Sequence, residues 1–340
     1  RHGVTTGAPV AIRIGNSEWP KWETVMNADP VDPSALLIDA GTGDEREIAR
    51  NRPLTRPRPG HADLPGMLSY DLSEARPVLE RASARETAAR VALGALAEAL
   101  LDQVAGIRLV SHVVAVGAQR ASASTIPTPA DEEALCAASM RTLDLADNAR
   151  FEAAVDEAKH SGDTIGGVVE VIAYDVPVGL GTHVSARERL DARLAGALMS
   201  IQSVKGVEIG DGFAQAALLG SAAHDEIVRG EDGHLTRTTN HAGGIEGGTS
   251  NGAPIVARAG FKPISTVPRA LRSVDLATGE EAVGLHQRSD TCQVVPGAVI
   301  AEAEVALVLA DALFDHAGGR SVAEMRRNLD SYRQVVGERA

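Results

Sequence analysis

An α+β protein is what this sequence predicts, on three observations. Apolar residues make up 44% of the 340-residue chain and charged residues 23%, which is a composition that folds around a core. Segments with strand patterning recur between segments with helical patterning, and each of three helices is preceded by a capping-box signature. No Pro- or Ser-rich linker divides them, so the elements read as one domain over residues 1–340.

The elements follow in chain order. Residues 1–70 are rich in Pro, Gly and Arg and read as strands and loops, with Val10 to Ile14 as a short alternating strand. Residues 34–50 read as an exposed acidic loop turning at Gly41-Thr42-Gly43-Asp44. Ser83-Ala84-Arg85-Glu86 is a capping box, and Leu93, Leu96, Leu100 and Val104 follow at helical spacing as its buried face. Ile107 to Ala118 alternates as a strand. Residues 120–150 read as one or two short helices, with Pro129 near the first N-terminus. Gly167 to Val178 is a strong strand. Ser185-Ala186-Arg187-Glu188 is a second capping box, followed by Leu190, Leu194, Leu198 and Ile201 on one face. Ile255 to Phe261 is a strand, Pro296 to Phe314 a buried helix, and Ser321-Val322-Ala323-Glu324 opens the last helix as a third capping box.

Composition also excludes function classes. With 33 Lys and Arg against 46 Asp and Glu, the net charge is −13, which argues against nucleic acid as a partner. No apolar run approaches the roughly 20 residues of a membrane helix; the best, Val305 to Phe314, is interrupted by Asp311. The chain opens on Arg1-His2-Gly3 with no apolar leader, so a cytoplasmic protein is expected. The two cysteines, Cys136 and Cys292, fit neither a disulfide framework nor a zinc site and are expected as buried free thiols; no metal is expected. Of the 33 basic residues, four are lysines (Lys21, Lys159, Lys205, Lys262) and the other 29 arginines. Arg forks suit carboxylates and phosphates, and an acidic protein can still gather them in one pocket.

Five segments carry candidate chemistry. Arg56 to Asp63 is held extended by prolines and presents two arginines, a histidine and an aspartate; alone it also reads as a surface loop. Arg81 to Glu86 sets Arg81 and Arg85 beside an expected helix N-terminus, where cations are unfavourable unless an anion is bound. Asn240 to Gly252 has five glycines that let backbone approach a ligand, or simply turn, and Gly248-Thr249-Ser250-Asn251-Gly252 matches a serine-hydrolase elbow without the buried strand that motif needs. Lys262-Pro263-Ile264-Ser265-Thr266 follows a strand and can hold a phosphate or merely leave the sheet. His286-Gln287-Arg288-Ser289-Asp290 is the densest acid–base cluster.

Taken together and in order, the segments resemble those of the chorismate synthase family. They are RPGHAD (Arg58 to Asp63), SARETA (Ser83 to Ala88), GDTIGG (Gly162 to Gly167), KGVEIGDGF (Lys205 to Phe213), GGIEGG (Gly243 to Gly248), KPIST (Lys262 to Thr266) and HQRSD (His286 to Asp290). WPKWE (Trp19 to Glu23) resembles the actinobacterial branch. The resemblance runs from Arg1 to about Tyr332.

That resemblance implies a layered β–α–β sandwich, a homotetramer and reduced FMN as cofactor, with a link to NADP. The implied reaction converts 5-enolpyruvylshikimate 3-phosphate to chorismate by 1,4-elimination of phosphate and a ring proton, a carbon–oxygen lyase step of the shikimate pathway. A non-catalytic flavin- or anion-binding protein is the alternative. By position, His61 resembles the family histidine that sits by the flavin and assists protonation, and Asp290 the aspartate that works with flavin N5 in removing the ring proton. Arg58, Arg85 and Arg288 resemble substrate-binding arginines. Arg81, Ala82, Ser83, Gln202, Ser203, Gly247, Lys262, Pro263, Ile264, Ser265, Thr266 and Arg288 resemble FMN-binding positions. The resemblance also implies a strand ending in G-E-S-H-G and an Arg-rich segment ahead of the residue aligned with Arg1. On that comparison the chain is expected to be a partial product, inactive or poorly folded alone.

Overall fold

The computed structural model describes residues 2–36, 45–122, 126–231, 233–285 and 290–337. In chain order the helices are α1 (Glu45–Asn51), α2 (Asp63–Ser69), α3 (Arg76–Arg81), α4 (Thr87–Ala105), α5 (Glu132–Ala137), α6 (Leu145–His160), α7 (Leu190–Met199), α8 (Gly212–Gln215), α9 (Gly220–Ala223), α10 (Val294–Ala317) and α11 (Val322–Gly337). The strands are β1 (Arg108–Val116), β2 (Gln119–Arg120), β3 (Gly167–Tyr174), β4 (Val204–Ile209), β5 (Ile227–Arg229), β6 (Leu235–Arg237), β7 (Ile245–Glu246), β8 (Thr249–Ser250), β9 (Ile255–Phe261), β10 (Arg272–Val274) and β11 (Glu281–Val283). Helices and an antiparallel sheet are mixed, as an α+β fold requires. The chain divides into two compact units: Arg1–Ala8, Ala84–Ile264 and Ser289–Ala340 form the larger, Pro9–Ser83 and Ser265–Arg288 the smaller.

The larger unit is built on one five-stranded antiparallel sheet in the order β2-β1-β3-β9-β4. Along β9 the side chains alternate: Ile255, Ala257, Ala259 and Phe261 are buried, whereas Val256, Arg258 and Gly260 are half-buried on the other face. The inward face meets α4, α7 and α10 in a single core that includes Leu101, Val113, Val171, Leu194, Leu309 and Leu313. On the other face Leu135 of α5 packs with Val110 and Ile172. Fully burying one such aliphatic side chain is worth about 1.5–3 kcal/mol.

Most long elements match their patterning. β9 has the predicted bounds, α10 extends the predicted helix, and Leu190, Leu194, Leu198 and Ile201 are all buried. Ser321 caps α11 as predicted, its Oγ accepting from the Glu324 amide at 3.2 Å, while Glu324 accepts from the Arg320 amide at 2.7 Å. The short helices after residue 120 start at a Thr128–Asp131 capping box.

Other expectations are corrected. Val10 to Ile14 is exposed and forms no strand, because no described segment pairs with it. Within residues 34–50, α1 replaces part of the expected loop, and the turn at 41–44 lies outside the described residues. Ser83 is not the cap of α4, nor Ser185 the cap of α7: α4 begins after a 3-10 turn over Ala84–Glu86, and α7 begins from Arg189, both without side-chain caps. The buried face of α4 is Gly94, Ala97, Leu101, Val104 and Ala105, while Leu93 and Leu96 are 48% and 51% exposed. Small residues win that face because α4 lies close against α10; a Cβ on Gly94 would come within 2.4 Å of the Ala303 Cβ. Cys136 is exposed, not buried, and Cys292 is half-buried; both are free.

The smaller unit has its own core of Leu54, Met67, Ala75 and Leu79, joined by Leu72, Val78 and Leu285. β10 and β11 form a hairpin. Trp19 to Lys21 makes a 3-10 turn, and the Trp22 ring lies about 6 Å from the guanidiniums of Arg50 and Arg76.

Candidate active site

In the smaller unit the RPGHAD segment folds onto Asp63, the first residue of α2. Asp63 is fully buried. Its Oδ2 accepts from the Arg58 amide at 3.0 Å and from Arg58 Nε at 2.8 Å, and its Oδ1 accepts from Arg58 Nη2 at 3.0 Å. His61 Nδ1 lies 2.5 Å from Oδ1. Burial raises the Asp63 carboxyl, but bonds from His61 and Arg58 outweigh it and hold the group well below the usual carboxylate range. Asp63 is therefore an acceptor only, so the proton of His61 sits on Nδ1, while Nε2 lies 3.3 Å from Arg58 Nη2. Arg58 is itself buried and spends its remaining arm on Thr266, Nη1 donating to Oγ1 at 3.0 Å. RPGHAD and the end of KPIST are thus tied by one guanidinium.

Arg81 ends α3, where the helix dipole favours a cation. The expected conflict at a helix N-terminus falls away there, since α4 begins only at Thr87. Ala82 is the residue following α3, and Ser83 is half-buried.

In the larger unit, Arg85 is exposed within the 3-10 turn. Gln202 donates from Nε2 to Glu86 Oε1 at 2.6 Å, and its own Oε1 is buried without a hydrogen-bond partner among the described residues. Ser203 follows with φ +72°, and its carbonyl accepts from the Lys262 amide at 2.9 Å. Burial, then the neighbouring Lys205, holds the Lys262 ammonium below its ordinary range.

The GDTIGG segment anchors two others. Thr164 Oγ1 donates to the Ile264 carbonyl at 2.8 Å, and the Ile165 amide donates to the Thr291 carbonyl at 3.0 Å. Asp290 is thereby fixed through its neighbour and stays exposed. Gly166 must be glycine: a Cβ there would come within 2.2 Å of the Phe261 carbonyl and 2.9 Å of the Pro263 nitrogen.

Gly247 sits in the turn between β7 and β8. No hydrogen bond ties it to Gln202 or Lys262 among the described residues. Arg288 and the rest of residues 286–289 lie outside the described residues. The hydrolase elbow is excluded: Ser250 is buried, its Oγ donating to the Pro177 carbonyl at 2.6 Å and accepting from the Leu180 amide at 2.8 Å. Ser250→Ala is expected to leave the protein as unreactive to a phosphonate probe as before and to destabilise it by about 1–3 kcal/mol in urea unfolding. Probe labelling of the parent protein at Ser250 would overturn this.

The sequence marks Asp63 among the crowded residues of 56–63 but reads Glu86 only as part of a capping box and does not mark Arg90. The signal for the last two was available, since Glu86 and Arg90 stand at helical i, i+4 spacing.

Comparison with known proteins follows this geometry. A family model described as chorismate synthase matches residues 1–314. The chorismate synthase of Beutenbergia cavernae is 60% identical over 339 residues, covering 99% of this chain and 83% of its own. Those of Mycolicibacterium vanbaalenii and Streptomyces avermitilis are 58% and 59% identical, covering 100% and 98% of this chain and 82% of each relative. A crystal structure of a chorismate synthase is similar at a TM-score of 0.69 and 38% identity, over 82% of this chain and 77% of the other. Among the described residues no helix is long and apolar enough to cross a membrane. With family motifs that tie Arg58 to Thr266 and GDTIGG to the exits on either side of it, and with this identity over almost its whole length, the chain belongs to the chorismate synthase family.

Proposed function

We propose that the chain converts 5-enolpyruvylshikimate 3-phosphate to chorismate, eliminating phosphate and a ring proton with reduced FMN as cofactor, and that residues 1–340 work as one chorismate synthase domain. Family membership over nearly the whole chain is the observation that carries this reading. Assembly as a homotetramer and a cytoplasmic location belong to the same proposal.

The donor set fits FMN. A flavin phosphate calls for cations, and the Lys262 ammonium, whose charge is disfavoured by burial and then by Lys205, is one that an anion would stabilise. A flavin also carries N–H and hydroxyl donors, and Gln202 keeps a buried acceptor for which the described residues supply no donor. The residues assigned to FMN are Arg81, Ala82, Ser83, Gln202, Ser203, Gly247, Lys262 to Thr266, and Arg288. Reduced FMN, when bound, supplies transient electron donation to the substrate.

The protein's own groups do the rest. The substrate carries two carboxylates and a phosphate, to which Arg85 and Arg288 are assigned as charge partners. Arg58 is assigned to the same anions, though in this structure its guanidinium is already engaged and its evident work is to hold Asp63. His61 is assigned to assisting protonation, with its Nδ1 committed to Asp63. Asp290 is the exposed carboxylate assigned to removal of the ring proton.

The test is phosphate release from 5-enolpyruvylshikimate 3-phosphate in the presence of reduced FMN. Release at an enzymatic rate is expected. FMN binding without release would instead favour the flavin-binding alternative.

A further inference from the structure

Three elements of the larger unit meet at Arg90, in the first turns of α4. Arg90 Nε donates to Glu86 Oε2 at 3.0 Å and Nη2 to Glu86 Oε1 at 2.7 Å. The remaining nitrogen, Nη1, donates to Ser200 Oγ at 2.6 Å and to Glu304 Oε1 at 3.0 Å. Glu304 is buried in α10, and Ser200 follows α7. Every face of the guanidinium is therefore used, and Glu86 is gripped by a two-pronged fork.

Glu86 has a second task. It accepts the Gln202 Nε2 donor at 2.6 Å. A carboxylate can only accept, so the Gln202 amide has no choice of orientation: its NH₂ must face Glu86 and its Oε1 must face away. That Oε1 is the buried acceptor left without a partner among the described residues. An amide free to rotate would turn to relieve such an atom, because a buried unsatisfied acceptor is costly. Here the chain Glu304–Arg90–Glu86 forbids the turn.

We infer that Arg90, Glu86 and Glu304 are positioning residues that lock the Gln202 side chain so that its carbonyl oxygen is presented to a hydrogen-bond donor of FMN. This rests on the FMN reading above. Arg90 and Glu86 touch no cofactor in this account; they act through Gln202.

The experiment has two arms, so the two readings fail separately. In the apo-protein, Gln202 side-chain NH₂ resonances are followed by NMR in the parent, Glu86→Ala and Arg90→Met. The parent is expected to show a single dispersed pair that collapses toward free glutamine in both variants. An unchanged pair overturns the lock whether or not flavin binds. In the second arm FMN is titrated by fluorescence and visible absorption. Glu86→Ala is expected to weaken FMN binding by about 10- to 100-fold, the cost of misplacing one buried acceptor, and to shift the bound-flavin spectrum. The exchange Glu86→Gln with Gln202→Glu rebuilds an amide-to-carboxylate bond in reverse while keeping an outward oxygen. It is expected to recover most of the lost affinity, and it tests the proposal even should Glu86→Ala fold poorly. Unchanged affinity and spectrum in Glu86→Ala, or no recovery in the exchange, overturns the inference. A parent protein that binds no FMN overturns the cofactor reading and this proposal with it.

Discussion

His61→Ala and Asp290→Ala are each expected to lower phosphate release from 5-enolpyruvylshikimate 3-phosphate by about 10²–10⁴-fold, the usual worth of a general acid–base group. The two residues reach that role differently. His61 is half-buried, and its Nδ1 is committed to a carboxylate that stays ionised, so removing the ring deletes a proton carrier whose tautomer the fold has already chosen. Asp290 is exposed, and its fixed point is the main chain, where the neighbouring Thr291 carbonyl accepts from the Ile165 amide. Neither substitution removes a residue assigned to FMN. Flavin affinity, followed by fluorescence titration in an active preparation, should therefore stay within about threefold, well under the roughly 1.4 kcal/mol of a tenfold change. Near-normal turnover in both variants would refute the assignment. Turnover lost together with flavin binding would show that the residues hold the cofactor instead.

What could be read from the sequence follows a physical divide. Segments whose neighbours do not matter were legible: β9 alternates through the sheet, Leu190, Leu194 and Leu198 stripe α7, and Ser321 opens α11. Segments that depend on a partner misled. Val10 to Ile14 alternates like a strand yet has no described neighbour to pair with. On α4 the large leucines looked like the core face, but the tight approach to α10 selects Gly94 and Ala97. The short helices expected over residues 120–150 do not extend to the full α6, which runs to His160 and buries little beyond Asp147 and Phe151, although Asp144 caps it through the Ala146 and Asp147 amides.

The site divides in the same way. The motif residues stand out by composition, since arginine, histidine and aspartate are crowded into eight positions at 56–63. Their division of labour is invisible in the sequence, because it depends on which side-chain atoms meet. By resemblance Arg58 is a substrate-binding arginine, yet in the fold it already has an anion in Asp63. Gln202 was legible only by family resemblance. The reason for its orientation lies about 116 positions away at Glu86.

Asp63→Ala should cost about 3–5 kcal/mol of stability, because it removes one partner of a buried ion pair and strands the other. Arg58 is only 8% exposed, so water cannot take over from the lost carboxylate. Nε, Nη2 and its own amide would lose their carboxylate acceptor together, leaving the Thr266 hydroxyl and the His61 ring, neither of which carries a negative charge. His61 would also lose the bond that fixes its tautomer, so turnover should fall even where the variant remains folded. The pH dependence separates this mechanism from simple loss of packing. Because the folded-state carboxyl is held below its ordinary range, its stabilisation is fully present above the unfolded value near about pH 4 and is lost as pH falls through the lower folded value. Urea midpoints of the parent protein should therefore decline below about pH 4, and those of Asp63→Asn, an isosteric side chain with no charge to titrate, should decline less steeply. Parallel acid profiles for the two proteins would remove Asp63 from the account of acid stability, and an Asp63→Ala midpoint equal to the parent's at neutral pH would remove it from the account of the fold.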